Sequence, residues 1–314
     1  MVIYMSATVT KPHSNGTGRF QIKARRVSAP RVALHAVLTA IALFILLPVI
    51  LIITSSLMHE QDIFISGYTY FPAQGFTLDA YKQVFMNSAQ LVNSYMVTVS
   101  VTALGTALGL CLTLPLGYIL SRKDFLYRKQ LSFYIFFTMI FSPGMVPSYL
   151  MMVGWFRLYN NYLVELLPGL CSGFLILLAK GMMQGIPFEL IESAKLDGAG
   201  ELKTFTGIVL PLSKQAAATV GLFIAISYWN DWMTCYLYIT NDKLYSLQYL
   251  VIQIQQSMAL LANMSLYYTG IQAHAPLYTT RMAMCVLVTL PILFAYPFIQ
   301  KFFQKGLTVG SVKG

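Results

Sequence analysis

The sequence predicts an all-α polytopic membrane protein with six transmembrane helices. Three observations carry that reading. Of the 314 residues, 57% are hydrophobic and 10% charged, with a mean hydropathy of +0.64, whereas soluble domains carry roughly a quarter charged residues. Several uncharged runs exceed the ~20 residues needed to cross the hydrocarbon core. These runs are continuous rather than alternating, which selects helices over a closed barrel.

The first span runs from Val32 to Leu57, uncharged throughout and broken only by Pro48. The second, about Asn93 to Leu120, is rich in Thr, Ala, Gly and Leu. The third covers Leu131 to Val153, with Pro143 and Pro147 in its later half. The fourth, about Tyr162 to Leu178, is short and interrupted by Pro168 and Gly169. The fifth is about Ala216 to Ile239, and the last about Met282 to Phe298.

Orientation follows from the cations. Seventeen of the 21 Lys and Arg residues fall in the N-terminal arm, the 2–3 and 4–5 connections and the tail, leaving Lys82, Arg157, Lys243 and Arg281 on the other side. The positive side is cytoplasmic, so both termini and the 4–5 connection are expected there. The net charge of +10 is then a topology signal; a nucleic-acid partner would need a soluble basic face. Residues 1–31 read as a flexible basic arm and 32–314 as one transmembrane domain. The first apolar run is too long for a signal-peptide core and has no obvious small-residue cleavage site, so it is read as a retained helix.

The chain has no marks of an enzyme. It carries no phosphate-binding GxxxxGK[ST], no HExxH and no GxSxG. Cys111, Cys171, Cys235 and Cys285 sit in four different spans with no CxxC spacing, which suits small buried side chains rather than a metal or disulfide framework. An ion-coupled secondary transporter would place ionisable groups near the midplane; Glu165 and Asp231 are thin support for that.

The most informative stretch is polar. In 187–213, Pro187 opens a helix with Glu189 in its first turn, where the helix dipole favours an acid. Leu190, Ala194 and Asp197 recur at i, i+4 and i+7, beside Ile191 and Ala199. Gly198 interrupts the run with a residue that can take positive φ. A second helix restarts at Glu201, with Phe205, Ile208 and Val209 as its apolar positions, and Pro211 leads into the fifth span. Such a segment either rests on lipid or docks into a partner. Lipid-lying helices want bulky apolar residues and a Lys/Arg-heavy polar face; Ala, Ser, Gly and balanced charge favour protein contact.

Here the sequence resembles the permease subunits of binding-protein-dependent ABC importers. Their signature is Glu-Ala-Ala, three residues, Gly, nine residues, Ile, one residue, Leu-Pro. This chain has Glu192, Ser193, Ala194, then Gly198, then Ile208, Leu210 and Pro211 at the same spacing, departing at Ser193. A Pro that the family often carries four residues after Leu-Pro is Gln215 here, which puts the angle of the fifth helix in doubt. The ending "GLTVGSVKG", Gly306 to Gly314, resembles the tail of the maltose-type carbohydrate permeases, and "LDGAGELKTFTGIVLPLSK", "YWNDW" and the six-span layout resemble the branch that takes up larger or acidic oligosaccharides, including alginate-type polymers.

The resemblance implies the type I ABC importer permease fold with a cytoplasmic coupling helix at 187–213. Glu192 would anchor an ATP-hydrolysing subunit or cap its own helix, Ser193 and Ala194 would allow close approach, and Gly198 would turn the chain after Asp197. Gly310, Ser311 and Lys313 of the tail, 299–314, would touch the ATPase subunits. The implied partners are a distinct second permease, two ATP-binding subunits and a soluble solute-binding protein, in the bacterial inner membrane. ATP and Mg would be used by the ATPase, with no cofactor on this chain. Tyr228, Trp229, Asn230 and Asp231 combine the aromatic faces and polar groups that hold a sugar, though an interfacial belt explains Tyr and Trp as well. The 240–280 connection carries an amphipathic segment expected at the outer surface, either as a plain interfacial helix or where the binding protein docks.

Overall fold

The computed structural model describes residues 29–86, 88–267 and 277–307. Most of the expected arm, and Gly310, Ser311 and Lys313 of the tail, lie outside the described residues. The chain divides into two units, Met1–Ile50 and Leu51–Gly314. In the first, helix α1 (Ala29–Ser56) carries Pro48 and continues into the start of the second. No charge falls between Val32 and Ser56, and 25 helical residues reach about 38 Å at 1.5 Å each.

The second unit is helical with no strand among the described residues. Short α2 (Glu60–Ser66) and α3 (Asp79–Met86) precede α4 (Ser88–Ser121), the longest helix. Then come α5 (Arg128–Ile140), α6 (Met145–Leu150) continued by a π-helical turn at Met151–Trp155, α7 (Leu163–Leu166) and α8 (Gly173–Met183). The polar stretch forms α9 (Phe188–Leu196), α10 (Glu201–Thr204), a π-helical turn (Phe205–Val209) and α11 (Leu210–Leu212). The chain finishes with α12 (Lys214–Trp229), α13 (Met233–Tyr238), α14 (Leu247–Tyr267) and α15 (Leu277–Leu307).

Several expected spans are bent or shorter than the apolar runs that suggested them. Val32–Ser56 and Ala89–Ser121 are each long and apolar enough to cross a membrane. The expected third span is two helices meeting at 110°. Phe141 is extended, and Gly144 takes φ +84; Pro143 between them supplies no donor and disfavours a helical residue before it. The fourth bends by 49° between Leu163–Gly169 and Gly173–Met183, where Ser172 is extended. The expected fifth span stops at Trp229 rather than Ile239, and α13 is a separate short helix.

Pro211 explains the π-helical turn ahead of it. A proline ring inside a helix collides with the carbonyl four residues back, here Gly207, and leaves it unpaired. Widening the turn over Phe205–Val209 relieves that collision. At the start of α14, Leu247, Leu250 and Val251 are buried with Trp229 and with Ala283 and Met284 of α15; the amphipathic segment expected at the outer surface begins after them, at Gln253, and its end past Tyr267 lies outside the described residues.

The core is built around α4, which packs on α8 and α12. Glycines make the approach possible. A Cβ on Gly117 would stand 2.6 Å from the Ala179 Cβ and 3.1 Å from the Lys180 backbone nitrogen. On α12, the Tyr228 ring lies against two glycines, where added Cβ atoms on Gly105 and Gly169 would come within 2.4 and 2.8 Å of it. Its hydroxyl donates to the Leu166 carbonyl at 2.6 Å. At the opposite end of the unit from these contacts in sequence, Glu60 closes the start of α15. Its carboxylate accepts from the Tyr278 nitrogen at 2.8 Å, the Thr279 nitrogen at 2.9 Å and the Thr279 hydroxyl at 2.8 Å.

Candidate partner-docking site

The motif residues divide by face. Ile191 and Ala194 are 4% and 7% exposed, and Ile191 packs with Leu114, Tyr118, Met183 and Val209. Removing Ile191 from water contributes about 2 kcal/mol to holding α9 down. Ala194 is buried within the chain. Its small side chain lets α9 approach the core closely. Glu192, Ser193, Asp197 and Gly198 are exposed. The Ser193 hydroxyl donates to the Glu189 carbonyl at 2.8 Å, so at rest it is bound to its own helix. Ile208 and Leu210 are half-buried, and Pro211 is exposed.

The turn after α9 is a Schellman closure. The Ala199 nitrogen donates to the Ala194 carbonyl at 2.9 Å, and the Gly198 nitrogen to the Lys195 carbonyl at 3.0 Å. That pattern requires a left-handed residue, and Gly198 supplies φ +76. A Cβ there would meet nothing within 4 Å, so the demand is on backbone conformation alone.

Beside this turn stand two residues that sequence reasoning missed. Leu196 is 85% exposed and Leu202 is 77% exposed, one on each side of Gly198. Leu196 falls off the buried Ile191/Ala194 stripe, and that mismatch is the signal that could have found it; Leu202 lies on α10, past the turn, where the stripe of α9 gives no guide. The exposed tip therefore presents two leucines together with Glu192 and Asp197.

The base of the tip is held by a ring of charges. Arg122, just past α4, pairs through its guanidinium with both Asp124 and Glu201. Lys195 completes the ring, with its Nζ 3.3 Å from Asp124 and 3.2 Å from Glu201. The Arg122 guanidinium also lies 5.7 Å over the Tyr118 ring, and that ring is 5.5 Å from Phe205. Arg122 and Lys195 entered the sequence reading just as topology charges, since a pairing 79 residues away leaves no local pattern.

The ring sets a pH dependence. The Arg122 guanidinium holds the Asp124 carboxyl well below the usual carboxylate range, against the upward push of its partial burial. Glu201 is pushed up by burial, but Lys195 and Arg122 outweigh that and lower it. A depressed folded pKa means full stabilisation above the unfolded value and loss as pH falls through the folded one. The thermal midpoint of the purified protein should therefore exceed that of Asp124→Asn by a constant margin down to about pH 4, and the margin should shrink below it. A margin unchanged in acid would count against the ring.

The expected sugar-contact residues separate in the same way. Tyr228 and Trp229 are 6% and 8% exposed and belong to the chain's own core. Asn230 is exposed, and its side-chain amide donates to the Ile226 carbonyl at 2.9 Å. Asp231 lies just beyond α12 and accepts from the Thr234 nitrogen at 3.1 Å. It lines a small cavity of about 10 Å³ with Glu165, Thr98, Cys235 and Ser246, room for about one water. Glu165 is 6% exposed, and its Oε1 has no partner among the described residues.

Residues 113–309 match the family model described as "Binding-protein-dependent transport system inner membrane component". The chain is 38% identical over 282 residues to the polygalacturonan/rhamnogalacturonan transport system permease protein YtcP of Bacillus subtilis (strain 168), covering 90% of this chain and 97% of that one. It is 38% identical over 269 residues to Protein LplC of the same organism, covering 86% and 90%. Among solved structures, a chain from a bacterial ABC transporter involved in the import of the acidic polysaccharide alginate superposes with a TM-score of 0.75 at 25% identity, covering 89% of this chain and all of that one. The fold is thus that of an ABC transporter permease, and a permease of this kind is not an enzyme. The chain belongs to the family of binding-protein-dependent transport system inner membrane components.

Proposed function

We propose that this chain forms half of the membrane pathway of a carbohydrate importer and receives the work of a separate ATP-hydrolysing subunit through the exposed tip at 187–213. The observation that carries this is the tip itself. Glu192, Asp197, Leu196 and Leu202 stand exposed around a fixed left-handed turn, while Ile191 ties its base to the core. Two apolar anchors with flanking acids suit a cleft on a protein partner. ATP and Mg belong to that partner. Glu192 is the ionic anchor, and Ile208, Leu210 and Pro211 carry the segment back to α12.

Six crossings, with both termini and the tip in the cytoplasm, agree with the distribution of Lys and Arg. The third and fourth of those crossings are bent. The tail residues Gly310, Ser311 and Lys313 extend the contact with the ATPase. A second permease completes the pathway, and a solute-binding protein delivers substrate on the outer side. The names of the relatives support an oligosaccharide substrate, and polygalacturonan and alginate point to an acidic one. Asn230 is the candidate for sugar contact, since Tyr228 and Trp229 are committed to the core.

The test is purification of the chain from its own membranes in mild detergent, followed by identification of what accompanies it. A second permease and a Walker-motif ATPase are expected. ATP hydrolysis by that complex should rise with binding protein loaded with acidic oligosaccharides more than with neutral ones. Recovery of the chain alone would leave a self-contained transporter or a scaffold, and would end this reading.

A further inference from the structure

The charge ring joins parts of the chain that the docking reading treats separately. Arg122 and Asp124 lie in the connection just past α4, Lys195 is near the end of α9, and Glu201 opens α10. The turn at 197–200 lies between Lys195 and Glu201, so the ring closes the base of the loop whose flanks carry Leu196 and Leu202. Isolated surface ion pairs contribute little. This one is a network centred on a guanidinium whose side chain is 11% exposed, and a planar fork can hold two carboxylates where an ammonium holds a point. Tyr118 adds a second grip, because it lies under Arg122 and against Phe205 of the same segment.

What the ring is attached to matters as much. The same α4 passes Ala179 of α8 and Tyr228 of α12 with glycine on its own side. Contacts that close leave little rotamer slack to absorb a push.

We propose that Arg122, holding Asp124, Lys195 and Glu201, is the positioning residue that makes the tip and α4 move as one body, so that closure of the ATPase is transmitted to the pathway through α4. This rests on the docking reading. It adds a residue outside the signature motif, on a different connection of the chain.

The experiment uses the whole importer in lipid vesicles, with ATP hydrolysis and uptake measured side by side. Arg122→Ala is expected to keep the ATPase bound while uptake per ATP hydrolysed falls about tenfold. The conservative exchange Arg122→Lys, which keeps the charge but not the two-carboxylate fork, should recover part of that loss, which a general weakening of the fold would not do. Glu201→Gln covers the case in which Arg122→Ala fails to assemble, because the Glu201 side chain is 60% exposed and cuts one arm of the ring without burying an unpaired charge. A lowered ratio in Glu201→Gln supports the link; a parental ratio in either variant that assembles overturns it. If the ATPase is lost from Leu196→Asp but uptake per ATP is parental in Arg122→Ala, the docking reading stands and the link alone is rejected. If the ATPase stays fully coupled to Leu196→Asp, the docking reading itself has failed.

Discussion

An importer carrying Leu196→Asp together with Leu202→Asp is expected to insert and fold normally and to lose ATP-driven uptake by about thirtyfold or more. The two leucines are 85% and 77% exposed, and substitutions at such surface positions usually change stability by about 0.5 kcal/mol or less. The loss arises at the docked interface. Buried apolar anchors there each account for about 2 kcal/mol when removed, and an aspartate pushed into the same cleft adds an unpaired charge. Uptake into membrane vesicles, with co-purification of the ATPase, measures both halves. Parental uptake in the double variant would remove the tip from the coupling path.

Gly117→Ala sets two effects of opposite sign against each other. In an exposed helix interior, replacing glycine by alanine gains about 1 kcal/mol from propensity. On α4 the new methyl would stand 2.6 Å from the Ala179 Cβ and 3.1 Å from the Lys180 nitrogen. Neither neighbour is a flexible side-chain end, so relief requires moving α8 bodily. Overpacking of this kind costs about 1–3 kcal/mol and exceeds the propensity gain when backbone is hit. The purified protein should therefore melt lower than the parent. Adding Ala179→Gly should restore part of the loss, because the two sites share one contact. A raised melting temperature in Gly117→Ala alone would mean that α4 and α8 are not this close.

The sequence read the 187–213 segment well because its signals are local. Glu189 in the first turn, the turn at Gly198 and the restart at Glu201 are all choices made within a few residues. The division of faces was harder. Ile191 and Ala194 turn inward and Leu196 and Leu202 outward, yet both pairs are apolar, and a membrane chain offers apolar neighbours in either direction. Tyr228 and Trp229 misled for the same reason: aromatic rings next to polar groups suit a sugar, but Tyr228 has a backbone carbonyl to serve and two glycines leaving space for its ring. The bends at 141–144 and at 170–172 lie within apolar runs, where hydropathy is blind to direction. Proline and glycine marked both places without giving the angle. The charge ring was invisible because its members are distant in sequence, and nothing in the spacing of Arg122 foretells Glu201.

The carboxylate of Glu60 carries a consequence for biogenesis. It is made early and inserted early, but its partners, the Tyr278 and Thr279 amides and the Thr279 hydroxyl, arrive after some 218 residues of further synthesis. Until then the Glu60 carboxylate lacks these three donors. Its satisfaction is a late assembly event, and a chain truncated before α15 keeps that acid bare. The pairing thus works as a completion mark, by which a finished chain differs chemically from one abandoned before its last helix.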